Sequence, residues 1–224
     1  MFTLGHEVAG WADEIGEGGS GIERGAAYVV YGPVGCGHAA EVGYLGIGLG
    51  RDGGMAEYVV VPARNLVPLG GADPVRAFAL ADAGLTPYHA IKLALPKLNK
   101  AGFAALVIGL GGLGLLAVQI LNAITSATII ATDTKESALR QAEKYGATTV
   151  PSGDGQVDAI RALTGGRGVD AVFDMVGVGP TMQTAMASVA TQGRVSVVGL
   201  GSAGSDYGRQ WYKEPHEAEL VKTY

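Results

Sequence analysis

The sequence predicts an α/β protein of two domains: a β-rich barrel over residues 1–90, followed by a doubly wound parallel sheet over residues 91–224. Three observations predict it. Residues 1–69 hold short β-prone runs punctuated by glycine, the pattern of a small barrel and not of a helical domain. From Ala104 onward, apolar strand-length runs alternate with helix-length segments, which gives a parallel sheet with right-handed crossovers. The second stretch opens with Ala104–Asp133, which reads AALVIGLGGLGLLAVQILNAITSATIIATD, a strand, a glycine turn, a helix, a second strand and an acid in order.

In the first domain, Gly5-His6-Glu7-Val8-Ala9-Gly10 leads into Ile15-Gly16-Glu17-Gly18-Gly19, a glycine-punctuated turn between short strands. Tyr28–Tyr31 and Tyr58–Val61 carry strand propensity, and Pro62 and Pro68 end the β pattern. Pro74–Ala94 is the expected passage between domains, two helical pieces broken at Gly84-Leu85-Thr86-Pro87. His89 falls on the second piece and reads as a packing or capping residue in preference to a metal ligand.

The second domain opens on a buried strand, Ala104–Ile108. Then comes Gly109-Leu110-Gly111-Gly112-Leu113-Gly114, a G-x-G-x-x-G turn. In a dinucleotide-binding fingerprint Gly109 permits the tight turn, Gly111 lets a pyrophosphate approach the backbone, and Gly114 lets helix and strand pack closely. The helix N-terminus then offers N–H groups and a positive dipole end to the phosphates. The second strand, Ala127–Thr132, is closed by Asp133, placed to accept hydrogen bonds from ribose hydroxyls. A carboxylate there repels a 2′-phosphate, and Lys135 is the only cation nearby, so NAD is favoured over NADP. Alone, the glycine turn would be weak support, because 37 of 224 residues are glycine; its context makes it specific.

Lys135–Tyr145 reads as an amphipathic helix ended by Gly146. Thr148–Val150, Val169–Val176 and Arg194–Gly199 read as strands, with helices at Asp158–Leu163 and Thr181–Ala190 between them. Ligand contacts in such sheets lie at strand C-termini, which marks Val176, Gly177, Val198 and Gly199 as flanking the adenosine and nicotinamide. Ser205–Tyr224 shows no strand–helix unit, which predicts an unpaired edge on the fifth strand.

Composition narrows the function classes. At 48 % hydrophobic and 17 % charged the chain can bury a sizeable core. A net charge of −5 argues against a nucleic-acid surface. Cys36 is the only cysteine, so no intramolecular disulfide forms. No charge occurs between Lys100 and Asp133, a length that could cross a bilayer, but Gln119, Asn122, Thr125, Ser126 and the glycine cluster argue for a covered sheet. Met1-Phe2-Thr3 runs directly into Gly5-His6-Glu7 without a signal segment, and the expected compartment is the cytoplasm.

Gly5-His6-Glu7 with Gly10, Gly53-Gly54-Met55-Ala56-Glu57-Tyr58-Val59, Asp82-Ala83-Gly84-Leu85-Thr86-Pro87-Tyr88-His89-Ala90 and the Gly109–Gly114 turn occur in that order. Together they resemble the zinc-dependent medium-chain alcohol dehydrogenases, over essentially the whole chain. The resemblance implies a GroES-like catalytic barrel followed by a Rossmann nucleotide-binding domain, with the active site in the cleft between them. It also implies hydride transfer between an alcohol and NAD, a small-molecule substrate, one catalytic zinc and homo-oligomeric full-length members. By position, His6 would be a zinc ligand, Glu7 a supporting or alternative ligand, Asp82 the last protein ligand, and Thr86 would face the nicotinamide carboxamide. Imidazole nitrogen and carboxylate oxygen both suit Zn²⁺. Singly, His6 also fits a hydrogen-bonded core histidine, and Asp82 a helix N-cap or turn aspartate.

Two departures from the family pattern stand out. The family's first zinc ligand is a cysteine upstream of Gly-His-Glu, beside a proton-relay hydroxyl, and the chain starts too late to hold either. Gly35-Cys36-Gly37 runs directly into His38-Ala39-Ala40-Glu41 where zinc-bearing members carry four cysteines. A closed structural site takes four N/S ligands, so the structural zinc is expected to be absent and Cys36 to be a bystander thiol. The expected protein is a dehydrogenase truncated at both ends and inactive or very weak on its own. Two alternatives stay open: a zinc-free quinone or enone reductase of the same superfamily, and a non-catalytic dinucleotide-binding module.

Overall fold

The computed structural model describes residues 3–32, 46–99 and 101–201, and the backbone of the strand at 219–222. Cys36 and His38, and with them the expectation about a structural zinc, lie outside the described residues. The chain divides into two compact units, Met1–Leu85 and Thr86–Tyr224.

In the first unit, β1 (Ala9–Trp11), β2 (Ala27–Val30) and β3 (Leu66–Pro68) form an antiparallel sheet in the order β1-β2-β3. Val8, Val30 and Ile47 make its core, with Val59, Val61 and Leu66 packed against them. Tyr58–Val61, expected as a strand, is not one. Val59 and Val61 turn inward while Tyr58 and Val60 are 74 % and 90 % exposed. The alternation that suggested a strand is therefore real, but this segment pairs with no ladder among the described residues. Pro62 precedes a 3₁₀ turn, Ala63–Asn65, and the strand comes after it, with Pro68 as its last residue. The buried Asn65 fastens the turn: its Nδ2 donates to the Tyr31 carbonyl at 2.6 Å and its own carbonyl accepts the Tyr31 N–H at 2.7 Å.

Asp73 caps α1 (Pro74–Ala77), accepting the Val75 N–H at 3.0 Å, with Pro74 at the first helical position where no N–H is needed. A 3₁₀ turn, Phe78–Ala81, delivers Asp82. The expected break at Gly84–Pro87 falls earlier, over Asp82–Gly84, because Leu85-Thr86-Pro87 already begin α2 (Leu85–Leu98). Pro87 is tolerated there because the first turn's N–H groups have no intrahelical partner. His89 on this helix is exposed, so it is not a packing residue.

The second unit is a six-stranded parallel sheet in the order β6-β5-β4-β7-β8-β9. Its elements are β4 (Ala104–Ile108), α3 (Gly112–Ile124), β5 (Thr128–Asp133), α4 (Glu136–Lys144), β6 (Thr148–Pro151), α5 (Gln156–Ala162), β7 (Val169–Asp174), α6 (Gly179–Ser188), β8 (Val189–Val197) and β9 (Glu219–Lys222). All five residues of β4 are buried, and their two-residue period divides them between two cores. Ala105 and Val107 pack with α2, α3 and α4, while Ala104, Leu106 and Ile108 pack with α5 and α6. Covering both faces accounts for the continuous apolar run. No helix among the described residues is long and apolar enough to cross a membrane.

Two expectations need correcting. β8 starts at Val189, ahead of the expected Arg194, and α6 ends at Ser188. A register shift between Val169 and Ala171 absorbs Gln192 at φ +61°. The fifth strand's edge is also paired: Glu219–Lys222 forms β9 on β8, with Arg194 opposite Glu219 and Val197 opposite Lys222.

Candidate functional site

In the first unit, two motifs distant in sequence are bonded side by side. Gly53 N–H donates to the Thr3 carbonyl at 2.8 Å, Gly54 N–H to Gly5 at 2.9 Å and Met55 N–H to Leu4 at 2.9 Å. A Cβ on Gly53 would collide with the Gly5 carbonyl, so this approach requires glycine. The segment so held presents His6 and Glu7 toward the residues after the 3₁₀ turn. His6 Nε2 lies 3.2 Å from Asp82 Oδ2, with side chains 44 % and 50 % exposed. Glu7 Oε1 accepts the Ala83 N–H at 2.8 Å. Asp82 ends the 3₁₀ turn Phe78–Ala81 and stands three residues ahead of the first residue of α2.

The His6–Asp82 separation is that of a hydrogen bond, and also close to the edge of a tetrahedral zinc site, about 3.3 Å for metal–ligand bonds near 2.0 Å. The donors fit zinc in kind. In number they fall short: no group of three or more His, Cys, Asp or Glu that could hold a metal occurs among the described residues. Glu7 is brought beside the pair but spends one carboxylate oxygen on the backbone of Ala83.

In the second unit the strand register puts Thr132, Ile108, Asp174 and Val197 at one level, so the residues just beyond them line the C-terminal rim. Gly109, at φ +86°, turns the chain there, and its N–H donates to the Thr132 carbonyl at 2.9 Å. A Cβ on Gly114 would fall on the Gly109 carbonyl oxygen, so strand and helix touch as the fingerprint requires. Around Gly111 and Gly112 there is open space. Gly111 is also the N-cap of α3 and supplies no side-chain cap, which leaves the first-turn N–H groups to a ligand. Leu110 and Leu113 flank these positions, the former buried. Asp133 Oδ2 accepts the Leu110 N–H at 2.6 Å, and Oδ1 accepts the Lys135 N–H at 2.8 Å. An ionised carboxylate has about four lone-pair sites, so room remains for ribose hydroxyls. This cradle fits a dinucleotide.

Val176, Gly177, Val198 and Gly199 meet at the same rim. A Cβ on Gly177 would strike the Gly199 carbonyl, and one on Gly109 would strike the Val176 side chain. Thr86 lies in the first turn of α2. Sequence reasoning passed over Asp174, which is fully buried at the end of β7. Its signal was an acid ending the apolar run Ala171–Phe173, three residues before a glycine.

Residues 1–71 match the alcohol dehydrogenase GroES-like domain family, and residues 112–215 match the zinc-binding dehydrogenase family. An NAD-dependent alcohol dehydrogenase of Sulfurisphaera tokodaii is 36 % identical over 219 residues, covering 92 % of this chain. The chain spans 62 % of the length of that curated relative. The crystal structure of the alcohol dehydrogenase from Aeropyrum pernix is 32 % identical with a TM-score of 0.84, covering 99 % of this chain and 68 % of its own. The D-arabinose dehydrogenase of Sulfolobus solfataricus is 30 % identical with a TM-score of 0.83, covering 98 % and 71 %. With both domain families matched in order and the parallel sheet and its glycine turn in place, the chain belongs to the zinc-type medium-chain alcohol dehydrogenase family.

Proposed function

We propose that the protein is an NAD-dependent oxidoreductase that interconverts an alcohol and an aldehyde or ketone by hydride transfer. The observation that carries this reading is the approach of His6 Nε2 to Asp82 Oδ2 at 3.2 Å, a nitrogen–oxygen donor pair suited to zinc. The activity named for the Sulfurisphaera tokodaii relative supports it. His6 and Asp82 would hold the metal, which when bound supplies Lewis acidity toward the substrate oxygen. Glu7 braces the Asp82-Ala83 turn from the His6 side. The uncapped start of α3 would receive the pyrophosphate, Asp133 the adenosine ribose, and Thr86 the nicotinamide carboxamide. A small-molecule substrate and a cytoplasmic location go with this reading.

We also infer that the chain by itself is inactive or very weak, because its described residues bring two zinc donors together where a catalytic site takes three. Elemental analysis of freshly purified protein, with and without NADH, tests the metal. The expected result is about one zinc per chain, released on Asp82→Ala; no zinc under either condition would sink the zinc reading. Robust formation of NADH from NAD with ethanol or benzyl alcohol would overturn the inferred inactivity.

A further inference from the structure

Four residues of the dinucleotide site's second half are bonded to one buried residue. The Asp174 side chain, fully excluded from solvent, accepts the Val176 N–H at 2.9 Å and the Gly177 N–H at 3.0 Å through Oδ1. Its main-chain carbonyl accepts the Val198 N–H at 2.8 Å and the Gly199 N–H at 3.1 Å. The second carboxylate oxygen accepts the Thr181 hydroxyl at 2.8 Å, and Thr181 Oγ1 in turn accepts the Val178 N–H at 3.1 Å at the start of α6. Burying a carboxylate is costly unless its lone pairs are met. Here they are met by the two loop N–H groups and by a hydroxyl at a helix N-terminus, whose dipole also favours negative charge.

The sheet order gives this arrangement a direction. Asp133 ends β5 on one side of the fingerprint strand β4, and Asp174 ends β7 on the other. A dinucleotide with its pyrophosphate at α3 and its adenosine ribose at Asp133 therefore extends its nicotinamide half over β7 and β8. We propose that Asp174 is a positioning residue for that half, setting the height of Val176 and Gly177 against Gly199 without touching the cofactor itself. The packing leaves little slack, since a Cβ on Gly199 would overlap the Val176 backbone. The assignment rests on the dinucleotide reading given above.

Titrations with NADH and with ADP, which lacks the nicotinamide nucleoside, separate this role from a general structural one. Asp174→Ala is expected to weaken NADH binding by about tenfold and to leave ADP binding within about twofold, because the acceptors for the loop are lost while the adenosine half is untouched. Asp174→Asn keeps an acceptor for the loop, and Thr181 can turn its proton to the Val178 carbonyl, 2.9 Å away. NADH affinity is then expected to stay within about threefold of wild type. Should Asp174→Ala not fold, Thr181→Val carries the test, with an expected loss of about threefold for NADH and none for ADP. Parallel losses for ADP and NADH, an unchanged NADH affinity in Asp174→Ala, or an Asn variant as impaired as Ala would overturn the assignment. Wild-type protein that binds neither nucleotide would sink the cofactor reading itself.

Discussion

Asp133 reaches across to the preceding strand's turn and accepts the Leu110 N–H at 2.6 Å, so the acid ending β5 is tied to the glycine turn ending β4. One carboxylate thus holds the shape of the glycine turn and, on the proposed reading, retains lone pairs for a ribose. Asp133→Ala is expected to weaken NADH binding by about 2 kcal/mol, roughly thirtyfold, through loss of charge-assisted hydrogen bonds. It should also narrow the preference for NADH over NADPH, because the repulsion of a 2′-phosphate goes with the charge. Fluorescence titration with both cofactors checks this; an unchanged NADH affinity would remove Asp133 from the site.

The fingerprint glycines should separate into two kinds. Gly111→Ala adds a methyl into open space. Its expected effect is weaker NADH binding at an unchanged melting temperature, because only the ligand meets the added group. Gly114→Ala drives a Cβ into the Gly109 carbonyl and should cost about 1–3 kcal/mol of stability as well. Thermal melts beside NADH titrations tell them apart, and equal melting losses in both would contradict the geometry.

Glu7 offers an acceptor to the Ala83 N–H. Glu7→Gln keeps a carbonyl oxygen in place and is expected to retain zinc, whereas Glu7→Ala should lose about 1 kcal/mol of stability and weaken zinc retention. Metal content after dialysis against a weak chelator reads the difference. Zinc lost equally from both variants would mean that Glu7 acts as a ligand and not as a brace.

Asp170 joins the starts of β4 and β7. It accepts the Ala104 N–H at 2.8 Å and two Arg167 N–H groups at 2.6 and 2.9 Å. The Arg167 guanidinium is held above its ordinary pKa, chiefly by the hydrogen bond to Asp170, against an opposing effect of burial. Asp170→Ala leaves a strand N–H without its acceptor and is expected to destabilise the fold by about 1–3 kcal/mol, with Arg167 half-exposed and able to turn to water. Denaturant unfolding measures it, and a shift under about 0.5 kcal/mol would count against the pairing.

Gln192 adopts φ +61° on the bulged side of β8, where its carbonyl accepts the Lys97 ammonium at 2.9 Å. Glycine keeps that carbonyl and removes the left-handed strain. Gln192→Gly is therefore expected to stabilise by about 0.5–1 kcal/mol, and Gln192→Val to destabilise. A lower melting temperature for the glycine variant would contradict the strain argument.

Where local chemistry determines an element, the sequence read correctly. Ala104–Ile108 was legible because burial on both faces forces an unbroken apolar run, and Gly146, at φ +91°, ends α4 as expected. The His6–Asp82 approach followed from family resemblance alone, since nothing in the spacing of the two residues announces it. Tyr58–Val61 misled because β propensity does not supply a partner strand, and its alternation served a small core instead. β9 was hidden because its pairing with β8 is long-range and its four residues, Glu-Leu-Val-Lys, are too few to set a strand pattern. Asp174 escaped notice because two of its side-chain partners are backbone N–H groups, which leave no mark in side-chain patterns, and the third, Thr181, lies seven residues on.

The strand order β6-β5-β4-β7-β8-β9 starts at its centre and grows outward, first to one side and then to the other. On the ribosome this becomes a schedule. The glycine turn and Asp133 are complete once Pro151 has emerged, while Asp174 and the loop it fastens come later and the edge strand comes last. Each new strand adds to an edge already laid down, so the nascent sheet needs no early strand to wait for a distant one between it and its neighbour. The acid proposed to hold the adenosine half is thus encoded ahead of the acid proposed to position the nicotinamide half.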